Sequence, residues 1–530
     1  IHEETRRSPL DRFIRRGAPS LDRLRYALEF AAVDPEVRAI VVEIGNFDAG
    51  LATAHEIHRL LRAAHSAGKR VIALVRGDIA GLREYLAAAG AGEIVANPGT
   101  AFALYGVATG GVFLKNALDK VKIQAQTLQW KEYKGAGETL SRAAMSPALR
   151  ESMAAVVADW EKILVEAIAP ARKLSPERTR ELLAAGFVSA QAAIETGLAD
   201  REGYREDLRA ELDPEGHGLP FVDLGRYFRH AAHVRERGRR ARIALIHASG
   251  PVIAGEAPAA GEYIDAAETA ELMDRASRDE RVRAIVFRVN SPGGSAVGSD
   301  LVWRSVKEAR RRGKPVIVSM GDVAGSGGYY VAAGADAIVA EAASITGSIG
   351  VVYAKINFAG ALAALGVGVE FVKSAENSDA MAWSRPLTEA ELAQVNDTLG
   401  HLYETFTARV AEGRKLPLER AEALARGRIW SGLKAREVGL VDEIGGLQTA
   451  IEIARIRGNL GPGERHRIVA YRGRHGWPGL AGALGFSAAS PPWPMRAIAR
   501  AAGIPVRWAP AMAEALVRGG AMLLCPWFEL

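Results

Sequence analysis

Short runs of β-branched and aliphatic residues, each closed by a turn and followed by a stretch of helical spacing, recur along this chain, and the whole order occurs twice. In the first half Val37 to Ile44 predicts a strand, a helical stretch follows, and after a Gly-Lys turn Val71 to Val75 predicts a second strand. An Ala-rich helix (Tyr85 to Ala91) and a third short strand (Glu93 to Ala96) complete the set. The second half repeats it at Val282 to Val289, Val316 to Ser319, Tyr329 to Ala335 and Ala337 to Ala340. Strands alternating with helices predict an α/β fold with right-handed βαβ crossovers and a mostly parallel sheet. Each half then runs into a long helical arm, Pro147 to Leu174 and Leu387 to Lys415.

The repeat is visible residue by residue. DPEVRAIVVEIGNFDAG from Asp34 matches DERVRAIVFRVNSPGGS from Asp279 at an offset of 245, and RGDIAGLREYLAAAGAGEIVA from Arg76 matches MGDVAGSGGYYVAAGADAIVA from Met320 at an offset of 244. The closings FVSAQAAIETGLAD from Phe187 and IWSGLKAREVGLVD from Ile429 match as well. These matches divide the chain into a first repeat (1–213), a linker (214–241), a second repeat (242–455) and an extension (456–530). The differences between the copies are concentrated. Where the second has Ser326 in a glycine cluster, the first has Leu82, and where the second has Ser291-Pro292-Gly293-Gly294-Ser295, the first has Asn46-Phe47-Asp48-Ala49-Gly50.

Composition is that of an ordinary globular protein, with 48% hydrophobic and 25% charged residues, which argues against disorder. The net charge of +6 has one local concentration, Arg226 to Arg242, whose place between the repeats suits a solvated linker face, and nothing else points to nucleic acid. The single cysteine, Cys525, excludes an intrachain disulfide and a cysteine-based metal cluster. The chain opens on Ile1, so a leader or anchor is expected to have preceded it. The uncharged run Ile94 to Leu114 is long enough to span a bilayer, but Asn97, Pro98 and its glycines read as buried strand and turn. Gly476 to Met495 is uncharged and rich in Gly, Pro and Trp, and Arg496 to Leu530 is basic and apolar. An interfacial membrane contact and a packed terminal extension both fit this tail.

Ser326 follows a predicted strand and opens a helix within Ala324-Gly325-Ser326-Gly327-Gly328, where free backbone N–H groups stabilise an anion. The sequence is not a Walker motif. The turn at Gly293 and Gly294 follows the first strand, and in a parallel sheet the two turns share one rim. Glycines there can aim an N–H at an oxyanion, with Gly327 N–H as the second donor. A serine nucleophile needs a base, yet no histidine lies between His247 and His401. His55, His58 and His65 fall at helical spacing and look like a solvated face. A lysine is the remaining option, and two compete. Lys134 stands thirteen residues before Pro147, and Lys373 thirteen before Pro386. Either must be neutral to accept a proton, and lowering a lysine from ~10.4 to near 8 costs about 3 kcal/mol.

In NSPGGS, GDVAGSGGYY, TGSIG, YKGAGETLSRAAMSP and GRIWSGLKAREVGLVDE, in that arrangement over about residues 30 to 445, the chain resembles the long, tandem-domain form of the signal peptide peptidase A (protease IV) family. These are Ser-Lys serine proteases of the Clp protease/crotonase fold superfamily. The resemblance implies Ser326 as nucleophile, Lys134 as base, and Ser348 as a serine that supports the lysine, its first-repeat counterpart being Leu104. The short form of the family uses a lysine at the place of Lys373, which makes it the alternative base. The oxyanion hole would be Gly327 with Gly293 or Gly294. The resemblance further implies hydrolysis of released signal peptides and other short apolar peptides, no cofactor and no metal. It also implies a homotetramer, and membrane association at the periplasmic face of the inner membrane. Two rivals are a crotonase-like acyl-CoA enzyme, which also uses paired N–H groups for an oxyanion, and a non-catalytic peptide-binding scaffold.

Overall fold

The computed structural model describes residues 20–472, apart from 46–48, 217, 219, 237–240, 256–261, 462–463 and 465, together with Met522–Leu524. It is a mixed α/β structure in which two parallel sheets of related build are covered by helices. The first sheet runs Ala39–Ile44, Arg70–Val75, Glu93–Ala96, Arg201–Glu202, every neighbour parallel. All of Arg70–Val75 but its first residue is buried, as befits a strand covered on both faces. The second sheet is larger. Its path is Ile429–Ser431, Ile345–Gly347, Val316–Gly325, Val282–Ser291, Ala241–Ser249 and His466–Tyr471, antiparallel only at the first step. It therefore continues past residue 455 into the extension.

Val316–Gly325 is one ten-residue strand that ends against Ser326, whereas its first-repeat counterpart is broken into Arg70–Val75 and Ile79–Gly81. The Ala-rich helices span Leu82–Ala88 and Gly327–Ala333, starting earlier than the sequence pattern suggests because the turn residue itself caps the helix. The long arms begin at strong caps. Ser146 accepts from Leu149 N–H ahead of Pro147–Arg172, and Thr388 with Glu391 forms a capping box ahead of Glu389–Arg414.

Both copies keep the same internal ties. The Gly-Lys turn lysines Lys69 and Lys314 donate to Asp34 and Val37 carbonyls and to Asp279 and Val282 carbonyls respectively. Tyr85 and Tyr329 donate to the Leu198 and Leu440 carbonyls, and Arg172–Asp200 is matched by Arg414–Asp442. The scaffold is thus held alike in both copies, while the positions that distinguish them have become core in the first: Leu104 is buried and Leu82 packs against the same cluster.

The repeats are interlocked. Asp322, four residues before Ser326, accepts from Gly50 N–H, Thr53 N–H and the Thr53 hydroxyl, so the second repeat caps the first-repeat helix Leu51–Ser66. Glu56 on that helix meets Arg288 at 3.0 Å, both buried, and also accepts from Leu447 N–H. Strand Gln124–Gln129 of the first repeat pairs antiparallel with Val352–Asn357 of the second.

This docking corrects the expectation for the histidines. His55 bonds Glu341 of the second repeat at 2.8 Å, His58 is buried on the Leu86 carbonyl, and His65 packs against Gly92. Their helix packs against its own repeat on one side and the second repeat on the other, so the histidines do not form a solvated face, and exposure is left to positions such as Ala63 and Ser66. Between the repeats, helix Leu224–Glu236 lies on Leu21–Val33, with Tyr227 against Phe30 and its hydroxyl on Asp34, while Arg226 and Arg229 stay exposed. The run Ile94 to Leu114 is buried strand and turn only as far as Leu104, through Glu93–Ala96 and Ala101–Leu104, whereas Tyr105 to Leu114 is irregular and partly exposed. Residues 237–240 of the arginine run, Asn46-Phe47-Asp48, and the tail at 473–521 and 525–530 lie outside the described residues. Among the described residues no helix is long and apolar enough to cross a membrane.

Candidate active site

The end of Val316–Gly325 pairs in register with Ile345–Gly347, so that Gly325 lies beside Gly347 and the residues that follow each strand, Ser326 and Ser348, emerge together. Ser326 N–H donates to the Gly347 carbonyl at 2.7 Å and its own carbonyl accepts from Tyr330 N–H, which pins the serine at the head of Gly327–Ala333. Its backbone sits at φ 55°, ψ −118°, a sparsely populated conformation for a residue with a side chain, and such strain is held where the surroundings over-determine it. Ser348 shares a positive φ of 50° and donates its N–H to the Arg428 carbonyl.

Lys134 arrives from the first repeat. Its loop follows Gln124–Gln129 and crosses to the second repeat, where Tyr133 N–H donates to the Arg426 carbonyl. Arg426 pairs with Glu132, and Arg428 pairs with Glu151 and lies over the Tyr133 ring at 4.8 Å. The Lys134 side chain then runs past Gly350 and Gly427. Gly427 has φ +82°, and a Cβ there would stand 2.4 Å from the Lys134 backbone nitrogen, so only glycine lets the two backbones approach.

The Lys134 Nζ ends 2.7 Å from Ser326 Oγ, 2.7 Å from the Ser348 carbonyl and 2.9 Å from Ser348 Oγ. All three residues have no exposed surface. Burial disfavours the ammonium. A neutral amine fits these distances with its two N–H bonds towards Ser348 and its lone pair towards the Ser326 hydroxyl.

The glycine turn lies alongside. A Cβ on Gly327 would stand 3.1 Å from Gly293 Cα and 3.2 Å from Gly294 N, so the two glycine segments touch. Gly293 N–H donates to Ser291 Oγ at 3.2 Å, while Asn290 accepts from Val323 N–H and ties this turn to the strand before Ser326. The structure thus brings together Ser326, Lys134, Ser348, Gly293, Gly294 and Gly327. It does not bring Lys373 there. That side chain lies in the exposed segment ahead of helix Glu389–Arg414, bonded to Asp379 and the Glu376 carbonyl.

A model of peptidase family S49 matches residues 63–217 and 308–460, together more than half of the chain. The chain belongs to peptidase family S49. One matched span carries Lys134 and the other Ser326 and Ser348. Among curated proteins the chain is similar to the chloroplastic serine protease SPPA of Arabidopsis thaliana, with 31% identity over 83% of this chain and 66% of that one. It is also similar to Protease 4 of Salmonella typhi and of Haemophilus influenzae, each 29% identical over 81% of this chain and 71% of the relative. The chain therefore spans about two thirds of the length of the relatives it matches. Family S49 and these protease-named relatives support a serine peptidase and favour neither an acyl-CoA enzyme nor a scaffold.

Three residues of the site's surroundings escape a search for chemistry: Gly350, Gly427 and Asp322. Gly427 did carry a signal. In the alignment that sets Phe187 on Ile429 it faces Ala185, one more position where the copy that receives the lysine differs from the copy that sends it.

Proposed function

We propose that this S49 member is a serine endopeptidase in which the second repeat supplies the nucleophile, Ser326, and the first repeat the general base, Lys134. The observation that carries the reading is the 2.7 Å contact between Lys134 Nζ and Ser326 Oγ inside a site closed to solvent. Neutral Lys134 takes the hydroxyl proton as Oγ adds to the scissile carbonyl. The oxyanion is held by Gly327 N–H and by the Gly293–Gly294 turn, where Gly294 is the better placed because Gly293 N–H is already given to Ser291. The C–N bond breaks, the Lys134 ammonium protonates the leaving amine, and a water activated by the same amine hydrolyses the acyl-enzyme, returning a proton to Ser326. Ser348 orients the amine throughout. No step calls for a metal or organic cofactor.

Substrates on this reading are short, extended, apolar peptides such as released signal peptides. The working form is a homotetramer associated with the periplasmic face of a membrane. The segment between helices Ala359–Ala364 and Glu389–Arg414 supports an assembly, since Leu365, Val367, Phe371, Val372 and Trp383 are all exposed on it. The test of the chemistry is labelling by a fluorophosphonate probe together with cleavage of an apolar reporter peptide. Both are expected to be lost in Ser326→Ala. Labelling that persists in that variant overturns the assignment. Light scattering tests the assembly, and a monomer at working concentration rejects the tetramer.

A further inference from the structure

The turn Arg426-Gly427-Arg428 lies between the Lys134 loop and the segment that carries Ser348, and its backbone bonds both. The Arg426 carbonyl accepts from Tyr133 N–H, Gly427 N–H donates to the Ile349 carbonyl, and the Arg428 carbonyl accepts from Ser348 N–H at 2.7 Å. These bonds fix where the turn runs. On the side of the lysine loop, however, a single main-chain bond next to Lys134 does little to stop the loop swinging away.

Side chains supply the rest. The Arg428 guanidinium lies 4.8 Å from the centroid of the Tyr133 ring and 5.1 Å from that of Trp430, so one planar cation bridges a ring of the lysine loop and a ring of the second repeat. Glu151, on helix Pro147–Arg172, accepts from Arg428 at 2.7 Å and from the Tyr133 hydroxyl at 3.2 Å. That carboxylate is 56% exposed and the guanidinium 24%, so the ion pair contributes little and the ring contacts carry the larger part. In the alignment that sets Phe187 on Ile429, the first repeat has Gly186 for Arg428 and Val188 for Trp430. The copy that receives the lysine is the copy that carries the stack.

We propose that Arg428 is a positioning residue of the reaction: its side chain holds Tyr133, and with it Lys134, against the second repeat, while its carbonyl sets Ser348, which receives the Lys134 amine. The inference rests on the peptidase reading, because its consequence is a rate. A loop that loosens admits water to an amine that now has no exposed surface, and water favours the ammonium. Only the neutral amine accepts the Ser326 proton, so the loss is greatest at low pH and shrinks as the pH rises. The other charges around the loop are paired among themselves, Glu132 with Arg426 and Lys131 with Glu422, and stay so when Arg428 is changed.

The test is steady-state cleavage of an apolar reporter peptide by the full chain from about pH 6 to about pH 10, per active site counted by fluorophosphonate labelling carried to completion. Counting sites removes any unfolded fraction from the rate. Arg428→Gln removes both the charge and the stack, and Arg428→Lys keeps a charge near Glu151 without the planar stack. In both, the acid limb of kcat is expected to move up by about one pH unit, a loss of about tenfold below the limb and little above it, with KM within about twofold. Tyr133→Leu, at a half-buried position, is expected to do the same and answers if the Arg428 variants do not fold. Joined to Arg428→Gln it is expected to lose no more than the worse single variant, because the arginine acts through the ring. A loss equal at every pH, or losses that multiply in the double variant, gives Arg428 a merely structural role and overturns the proposal. If the parent chain is labelled and cuts while the Arg428 variants match it at every pH, the proposal falls alone. If the parent is neither labelled nor cuts any peptide, the peptidase reading falls and the proposal with it.

Discussion

Gly427→Ala is the substitution that most sharply separates a site built across the repeats from one contained in the second. The residue is remote from the reacting atoms in sequence and has no functional group. A Cβ there would meet the backbone of Lys134 at 2.4 Å from N and 2.6 Å from Cα, both main-chain atoms that cannot rotate away. Restoring ordinary contact near 3.5 Å requires the Lys134 loop to retreat by about 1 Å. The amine now 2.7 Å from Ser326 Oγ would then sit outside hydrogen-bond range, and a misplacement of that size costs about a hundredfold in rate. The positive φ adds about 1 kcal/mol of backbone strain. The assay is kcat/KM on an apolar reporter, with the rate of covalent labelling at Ser326 as a second readout and thermal unfolding as the control. A fall of about a hundredfold in both rates, with the melting temperature lowered by only a few degrees, is expected. Turnover within threefold of the parent chain would refute the crossing-lysine geometry.

Lys134→Ala is expected to lower kcat by about 10²–10⁴-fold, as for loss of a general base, whereas Lys373→Ala, which breaks the exposed bonds to Asp379 and the Glu376 carbonyl, stays within about twofold in steady-state assays. Asp322→Ala removes three bonds that cap a helix of the other repeat and is expected to cost about 2 kcal/mol in urea unfolding, with the glycine cluster untouched. Burial holds His58 near 4, below its ordinary 6.5, so the unfolded chain binds more protons between those values. Stability is full above pH 6.5 and declines by about 3 kcal/mol as the pH falls to 4, a slope that His58→Gln should flatten in urea titrations at stepped pH.

The parallel sheets were legible because Val/Ile runs such as Val282 to Val289 are hydrophobic on both faces, and the site's chemical groups were legible because the repeats differ so sharply at Leu82 and Ser326 and at Leu104 and Ser348. Contacts between the repeats were not. Nothing local in Leu51–Ser66 says that Asp322 will cap it, or that Glu56 will meet Arg288, since the pairs are more than 200 residues apart. The histidines mislead for the same reason: helical spacing reports that a helix has two faces, not how many are covered. The Gly293–Gly294 turn was found from its glycines, but the strand that pairs with it lies more than 200 residues further along the chain.

On the proposed reading the two copies of this domain carry complementary halves of one site, which mixed oligomers can test. Within one chain the dyad is complete, because Lys134 reaches Ser326 of its own second repeat. A chain bearing Ser326→Ala and a chain bearing Lys134→Ala are each expected to be inactive, and oligomers formed from both contain no intact pair if every lysine serves its own chain. If instead lysines served a neighbouring chain, random mixing in a symmetric assembly would pair an intact serine with an intact lysine at about a quarter of the sites. Co-expression of the two variants with different tags, followed by tandem purification, isolates the mixed species. Their turnover is expected to match the single variants. Recovery towards a quarter of the parental rate would show that Lys134 serves a neighbouring chain, whereas activity of the Lys134→Ala chain by itself would reopen Lys373 as the base.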